Sequence, residues 1–202
     1  MIEHQNRLIP KEWLDYQRMK EDQYFNTMPS TQGGVVFAGD SMIEYFKTGK
    51  LINTKSINRG ISGYTSNQLV DNLDKLVLQY KPDILILSIG ANDHYYRMEA
   101  RETVNNIKKV IERVTKANKA VKIIVWALLP TDDQEDYENK YLEEINSILV
   151  DKIKEYSNVT LFDMRAEFLG DNRLGKPELY VDGVHPNSVG YSLIAKELNK
   201  LV

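Results

Sequence analysis

The chain has 202 residues, 42% of them hydrophobic and 27% charged, with a formal net charge of −3. That is the composition of one globular domain able to bury a core without staples, and its weak charge gives no field to recruit nucleic acid or an anionic membrane. It contains no cysteine, which excludes disulfides, thiolate catalysis and Cys-ligated metal centres.

The stretch from Met1 to Trp13 carries Glu3, Arg7, Lys11 and Glu12 and lacks the apolar centre of a leader peptide. No segment approaches the roughly 18 apolar residues of a membrane span. The expectation is a cytoplasmic protein with no membrane insertion. Residues 11–25 read as an amphipathic helix with Trp13, Tyr16, Lys20 and Tyr24 on one side. Met28 to Gly34 is rich in breakers, so 1–30 form an N-terminal helix and loop ahead of the first strand.

That strand is Val35-Val36-Phe37-Ala38, which runs into Gly39-Asp40-Ser41 and a short helix from Met42. Ser56-Ile57-Asn58 reads as a second strand ending at Arg59-Gly60. A helix from Thr65 carries Leu69, Val70, Leu73, Leu76 and Val77 as one apolar stripe. Lys81-Pro82-Asp83 then starts Ile84 to Ile89, a continuous apolar run typical of a strand buried on both faces. Next come a helix over 99–117, a strand over 121–128 closed by Pro130, and a helix through Tyr141, Leu142, Ile145, Ile148 and Leu149. Val159 to Asp163 is a fifth strand, 164–186 is irregular, and a helix with Leu193, Ile194, Leu198 and Leu201 ends the chain.

Strands alternating with helices imply right-handed crossovers and a mostly parallel sheet covered on both faces. The fold class is therefore α/β, a three-layer α/β/α sandwich with five strands in a single domain spanning 1–202. Ligands of such sheets bind beyond the carboxyl ends of the strands. Four loops there carry distinctive residues: Ser41, Gly60, Asn92, and Asp182 with His185.

Each has an ordinary structural reading as a cap, a loop glycine or a solvated side chain. Together they meet the needs of acyl transfer. A serine hydroxyl attacks only once a base takes its proton, and His185 is the best placed histidine; His4 lies near the terminus and His94 reads as a rim residue. Asp182, three residues before His185, can fix the imidazole tautomer and balance the imidazolium. The backbone N–H groups of Ser41 and Gly60 and the Asn92 amide are the expected donors to the oxyanion.

Gly39-Asp40-Ser41, Asn58-Arg59-Gly60-Ile61-Ser62-Gly63, Gly90-Ala91-Asn92-Asp93 and Asp182-Gly183-Val184-His185-Pro186 resemble, in order, the four sequence blocks of the SGNH (GDSL-type) esterases and lipases. Within that family the chain looks most like bacterial proteins similar to platelet-activating-factor acetylhydrolase. The resemblance implies a flavodoxin-like hydrolase fold, Ser41 as nucleophile, His185 as base, Asp182 as its partner, Ser41, Gly60 and Asn92 as the oxyanion hole, and no cofactor. Met42 stands where the family signature has leucine, a swap of similar volume. The expected function is hydrolysis of small acyl esters, acetyl above all, through an acyl-serine intermediate. The alternatives are a lysophospholipase or thioesterase for longer chains, and a non-catalytic sugar- or lipid-binding module.

Other motifs carry less. Thr48-Gly49-Lys50 lacks the upstream glycine of a phosphate loop. The three histidines show no metal-ligand spacing, so no metal is expected. Asp132, Asp133, Glu135 and Asp136 read as a solvated acidic loop. Tyr64, Tyr95, Tyr96 and Trp126 lie near strand ends, where they serve as core, rim or pocket wall. Substrate-binding residues beyond these are not readable. The aromatic N-terminal helix is free to cover the sheet or a partner subunit, which leaves a homo-oligomer open.

Overall fold

A computed structural model describes residues 9–26, 32–133 and 137–202. His4, most of the 28–34 loop, Glu135 and Asp136 lie outside the described residues.

Helix α1 (Lys11–Phe25) precedes β1 (Val35–Gly39), which runs into the short helices α2 (Ser41–Glu44) and α3 (Thr48–Leu51). β2 (Ser56–Gly60) is followed by α4 (Ser66–Asp71), α5 (Leu73–Leu76) and a 3₁₀ turn at Leu78–Tyr80. Next come β3 (Ile84–Ser88), α6 (Ala91–Tyr95), α7 (Ala100–Ala117), β4 (Lys122–Trp126) and α8 (Asn139–Ile153). β5 (Val159–Phe162), α9 (Arg165–Phe168), a 3₁₀ turn at Pro177–Leu179 and α10 (Ser188–Leu198) complete the chain.

All four strand pairings are parallel, in the order β2-β1-β3-β4-β5. Strand residues alternate between two cores, as the two-residue side-chain period requires. Val36, Ala38, Leu85, Leu87, Ile123 and Val125 face α4, α5, α7 and α8, whereas Val35, Phe37, Ile86, Ile124 and Trp126 face α2, α9 and α10. This is the expected three-layer sandwich. The stripe of α7 buries Val104, Ile107, Val110, Ile111 and Val114, each worth about 1.5–3 kcal/mol of burial.

The chain order reverses between β1 and β3, so their carboxyl ends diverge and leave a crevice. Gly39, the last residue of β1, lies beside both Gly60 and Ser88. The segments after these three strands therefore meet at one point.

The sequence reading differs from the structure in local detail. The single helix expected from Thr65 to Val77 is broken at Asn72 (φ −100°, ψ 12°), whose side-chain amide donates to the Tyr64 hydroxyl at 2.7 Å. The segment 164–186 is not wholly irregular, since it holds α9 and a 3₁₀ turn. Thr48-Gly49-Lys50 forms most of α3. α1 spans the expected residues and packs on its own domain, with Gln17 and Tyr24 buried.

Candidate active site

The site begins with a glycine that no other residue could replace without rearrangement. Gly39 has φ +154°, and a Cβ there would stand 1.8 Å from the Ser88 carbonyl oxygen. Asp40 follows as the N-cap of α2, one carboxylate oxygen accepting the Met42 N–H at 3.0 Å. Its other oxygen has no hydrogen-bond partner among the described residues, and desolvation pushes its pKa up to about 7. Ser41 thus opens α2, and its backbone N–H has no acceptor among the described residues.

The second loop corrects one expectation. The Gly60 N–H is taken up by Asn58 Oδ1 at 2.9 Å, so Gly60 is not a free donor at the site. Gly60 is small for another reason: a Cβ would lie 2.3 Å from the Glu44 backbone nitrogen, where α2 crosses β2. The same block supplies Gly63 instead. Gly63 has φ +75°, its N–H has no acceptor among the described residues, and it lines a cavity with Ser41, Asn92 and His185. The second glycine of Gly60-Ile61-Ser62-Gly63 was the available signal.

Gly90 (φ +129°) opens α6. Asn92, on its first turn, is buried, donates from Nδ2 to the Tyr64 carbonyl at 3.0 Å and accepts at Oδ1 from the Tyr137 hydroxyl at 3.3 Å. These contacts orient the amide and leave it a second N–H for a ligand. Asp93 is the next residue of α6. Fully buried, it accepts from the Ser66 N–H (2.8 Å) and the Thr103 hydroxyl (2.7 Å), tying α6 to α4 and α7.

The last loop holds Asp182 and His185. Asp182 Oδ1 accepts the backbone N–H groups of Val184 (3.0 Å) and His185 (2.8 Å), and Oδ2 lies 2.7 Å from His185 Nδ1. Burial raises the Asp182 pKa, but the donors of His185 and Val184 outweigh it and hold the carboxyl below its usual range. His185 Nε2 is 2.8 Å from Ser41 Oγ. The loop is fixed by the Asp132 N–H to the Gly183 carbonyl (2.7 Å) and Val181 N–H to the His185 carbonyl (2.9 Å). The Tyr45 ring meets the imidazole edge to face at 5.1 Å.

Two spaces open from Ser41 and Asn92. One is a groove of about 310 Å³ walled by Trp13, Tyr16, Tyr45 and Tyr137 and reaching His185. The other is a pit of about 20 Å³ lined by Met42, Leu128, Leu129, Leu142 and Val184. A larger cavity of about 440 Å³ beside Asp163 and Arg165 shares Leu128 and Leu142 with the pit but is not lined by Ser41, Asn92, Asp182 or His185. Trp13 stacks on Tyr95 at 5.8 Å, whereas Tyr64, Tyr96 and Trp126 are buried. His94 stacks on Tyr141 at 4.3 Å and lines neither of the two spaces that open from Ser41. Among the described residues no group of three or more His, Cys, Asp or Glu could hold a metal, and no helix is long and apolar enough to cross a membrane.

The model of the GDSL-like lipase/acylhydrolase family matches residues 37–193. Among curated proteins, the chain is 22% identical to platelet-activating factor acetylhydrolase IB subunit alpha2 of Gallus gallus, over 91% of this chain and 82% of that protein. It is 24% identical to N-acylneuraminate cytidylyltransferase of Escherichia coli O18:K1:H7, over 83% of this chain but only 40% of that longer protein. A solved structure titled as a platelet activating factor from Streptococcus pneumonia superposes with TM-score 0.85 at 25% identity, covering 94% of both chains.

Proposed function

Because the chain belongs to the GDSL-like lipase/acylhydrolase family, and is accordingly a carboxylic ester hydrolase, we propose that Ser41 is its nucleophile and small acyl esters, acetyl above all, are its substrates. The observation that carries the proposal is the unbroken line Ser41 Oγ, His185 Nε2, His185 Nδ1, Asp182 Oδ2, with contacts of 2.8 and 2.7 Å.

In this reading His185 takes the Ser41 proton as Oγ attacks the ester carbonyl. Asp182 holds the Nδ1–H tautomer and stabilises the imidazolium. The oxyanion accepts from the backbone N–H groups of Ser41 and Gly63 and from Asn92 Nδ2, with Gly63 taking the role expected of Gly60. His185 then protonates the leaving alcohol. Water, deprotonated by the same imidazole, releases the acyl group from Ser41.

The two spaces divide the substrate. A pit of about 20 Å³ has room for little more than a water-sized group, which suits the methyl of an acetyl. The alcohol lies in the open aromatic groove. Hydrolysis of p-nitrophenyl esters of increasing chain length tests this. The expected kcat/KM peaks at acetyl and falls by at least about tenfold at butyryl; a peak at octanoyl or longer would move the substrates to lipids or thioesters.

A further inference from the structure

Glu44 lies on α2 with Ser41, and its carboxylate gathers four donors. Oε2 accepts both the backbone N–H of Ser62 (2.6 Å) and its hydroxyl (2.7 Å). Oε1 accepts Lys20 Nζ at 3.0 Å and the Tyr16 hydroxyl. The side chain is only 10% exposed. Burial opposes its ionisation, yet the donors from Tyr16, Ser62 and Lys20 outweigh burial and hold its pKa below the usual carboxylate range. Ser62 immediately precedes Gly63, and α1 closes over the same turn. Gln17 Nε2 donates to the Ser62 carbonyl at 3.4 Å, and a Cβ on Gly63 would meet the Trp13 ring at 3.1 Å.

We propose that Glu44 is a positioning residue for the oxyanion hole: its carboxylate ties the Ser62–Gly63 turn to the helix that carries Ser41, and draws α1 in as the outer brace. This rests on the ester-hydrolase mechanism and on the Gly63 donor assigned above. The Ser41 and Gly63 N–H groups belong to separate chain segments, and the backbone pairing between those segments continues past Gly60 as far as the Ile61 N–H, which donates to the Gly39 carbonyl at 3.0 Å. Tyr64 N–H to the Ile61 carbonyl (3.1 Å) closes the turn on itself, but the Glu44 contacts tie it to α2, and a displacement of about 1 Å from productive geometry on their loss can cost roughly 10² in rate. Glu44 performs no proton transfer here, since both its oxygens are engaged and it touches neither Ser41 Oγ nor His185.

The test uses the full chain with p-nitrophenyl acetate as substrate and an alkyl trifluoromethyl ketone as probe, whose adduct with serine places an oxyanion in the hole. Glu44→Ala is expected to lower kcat by about 10–10² and to weaken the ketone by a similar factor. KM should change by less than about threefold, and the pH profile of kcat/KM should keep its inflections. Glu44→Gln retains an acceptor for Ser62 and should lose less, about threefold to tenfold, in both quantities. A Tyr16→Phe/Lys20→Met double variant, which spares the Ser62 contacts, should also lose less than Glu44→Ala. A folded Glu44→Ala protein with parental kcat, or one whose kcat falls while ketone affinity stays unchanged, overturns the proposal. If Glu44→Ala yields no folded protein, Glu44→Gln decides by the same two quantities. An inactive parent would instead refute the ester-hydrolase mechanism itself, so the two failures are distinct.

Discussion

Ser41 Oγ and His185 Nε2 stand 2.8 Å apart although 144 residues separate them in sequence. The parallel sheet makes this meeting routine: β1 delivers Ser41 to the crevice, and the loop ahead of α10 comes back over it. Asp182 joins by local geometry alone, since its side chain bends back onto the N–H groups of the two residues that follow Gly183. One partner of the imidazole is thus fixed by a turn and the other by the whole fold.

Replacing Asp182 by Asn tests the orienting role. Asn can still accept the backbone donors at Oδ1, but its Nδ2–H₂ would face His185 Nδ1 and force the proton onto Nε2. The imidazole then cannot accept from Ser41. A buried acid in this position can be worth about 10⁴ in kcat; Asp182 has a side chain 52% exposed, so the expected loss is nearer 10², read from steady-state kinetics at pH 8. Loss within twofold would remove Asp182 from the mechanism.

Asn92→Ala deletes a side-chain donor without touching Ser41, Asp182 or His185. The expected loss is about 10²–10³ in kcat with KM nearly constant. Its amide also holds the Tyr64 carbonyl, so a thermal melt accompanies the kinetics. If kcat is preserved in a folded variant, the oxyanion is held elsewhere.

Leu128, 5% exposed, forms part of the pit wall. Leu128→Ala should cost about 2–5 kcal/mol of stability through the cavity it leaves. It should also raise the butyryl-to-acetyl ratio of kcat/KM by at least about tenfold. The ratio is internally controlled, because any loss of folded protein cancels. An unchanged ratio would mean that the acyl group does not enter the pit.

Much of this architecture is legible in the sequence, and the exceptions have physical causes. Runs such as Ile84 to Leu87 and Ile123 to Trp126 announce strands buried on both faces, and Gly-Asp-Ser marks the turn after β1. Gly60 reads as a donor in sequence because the end of a strand looks the same whether the next N–H is free or satisfied. Here Asn58 satisfies it from two residues back, and the free donor comes at Gly63. The break at Asn72 depends on its tertiary contact with Tyr64, which no apolar stripe encodes. Likewise, the periodicity of α1 marks a helix but not its docking, which rests on Lys20 and Tyr16 finding Glu44.

Asp40 offers a pH test of stability. Desolvation pushes its pKa up to about 7, above an unfolded value of about 3.9. An acid raised in this way is no burden below its unfolded pKa. It penalises the folded state increasingly as pH climbs to the folded pKa, and the penalty is level beyond that. Asp40→Asn keeps an oxygen for the Met42 N–H and removes the penalty. The stability of the variant relative to the parent should therefore rise between about pH 4 and 7, by an order of a few kcal/mol, and flatten above about pH 8. Urea unfolding across that range measures it; a difference independent of pH would mean that Asp40 is not held protonated.

The central claim is that Ser41 becomes covalently acylated. Incubation with a fluorophosphonate, followed by peptide mass mapping, addresses it most directly. The predicted result is a single adduct on Ser41, formed in step with loss of esterase activity and absent in Ser41→Ala, which is itself inactive. An adduct on another residue with activity lost in step, or full activity in a protein stoichiometrically labelled at Ser41, would contradict it.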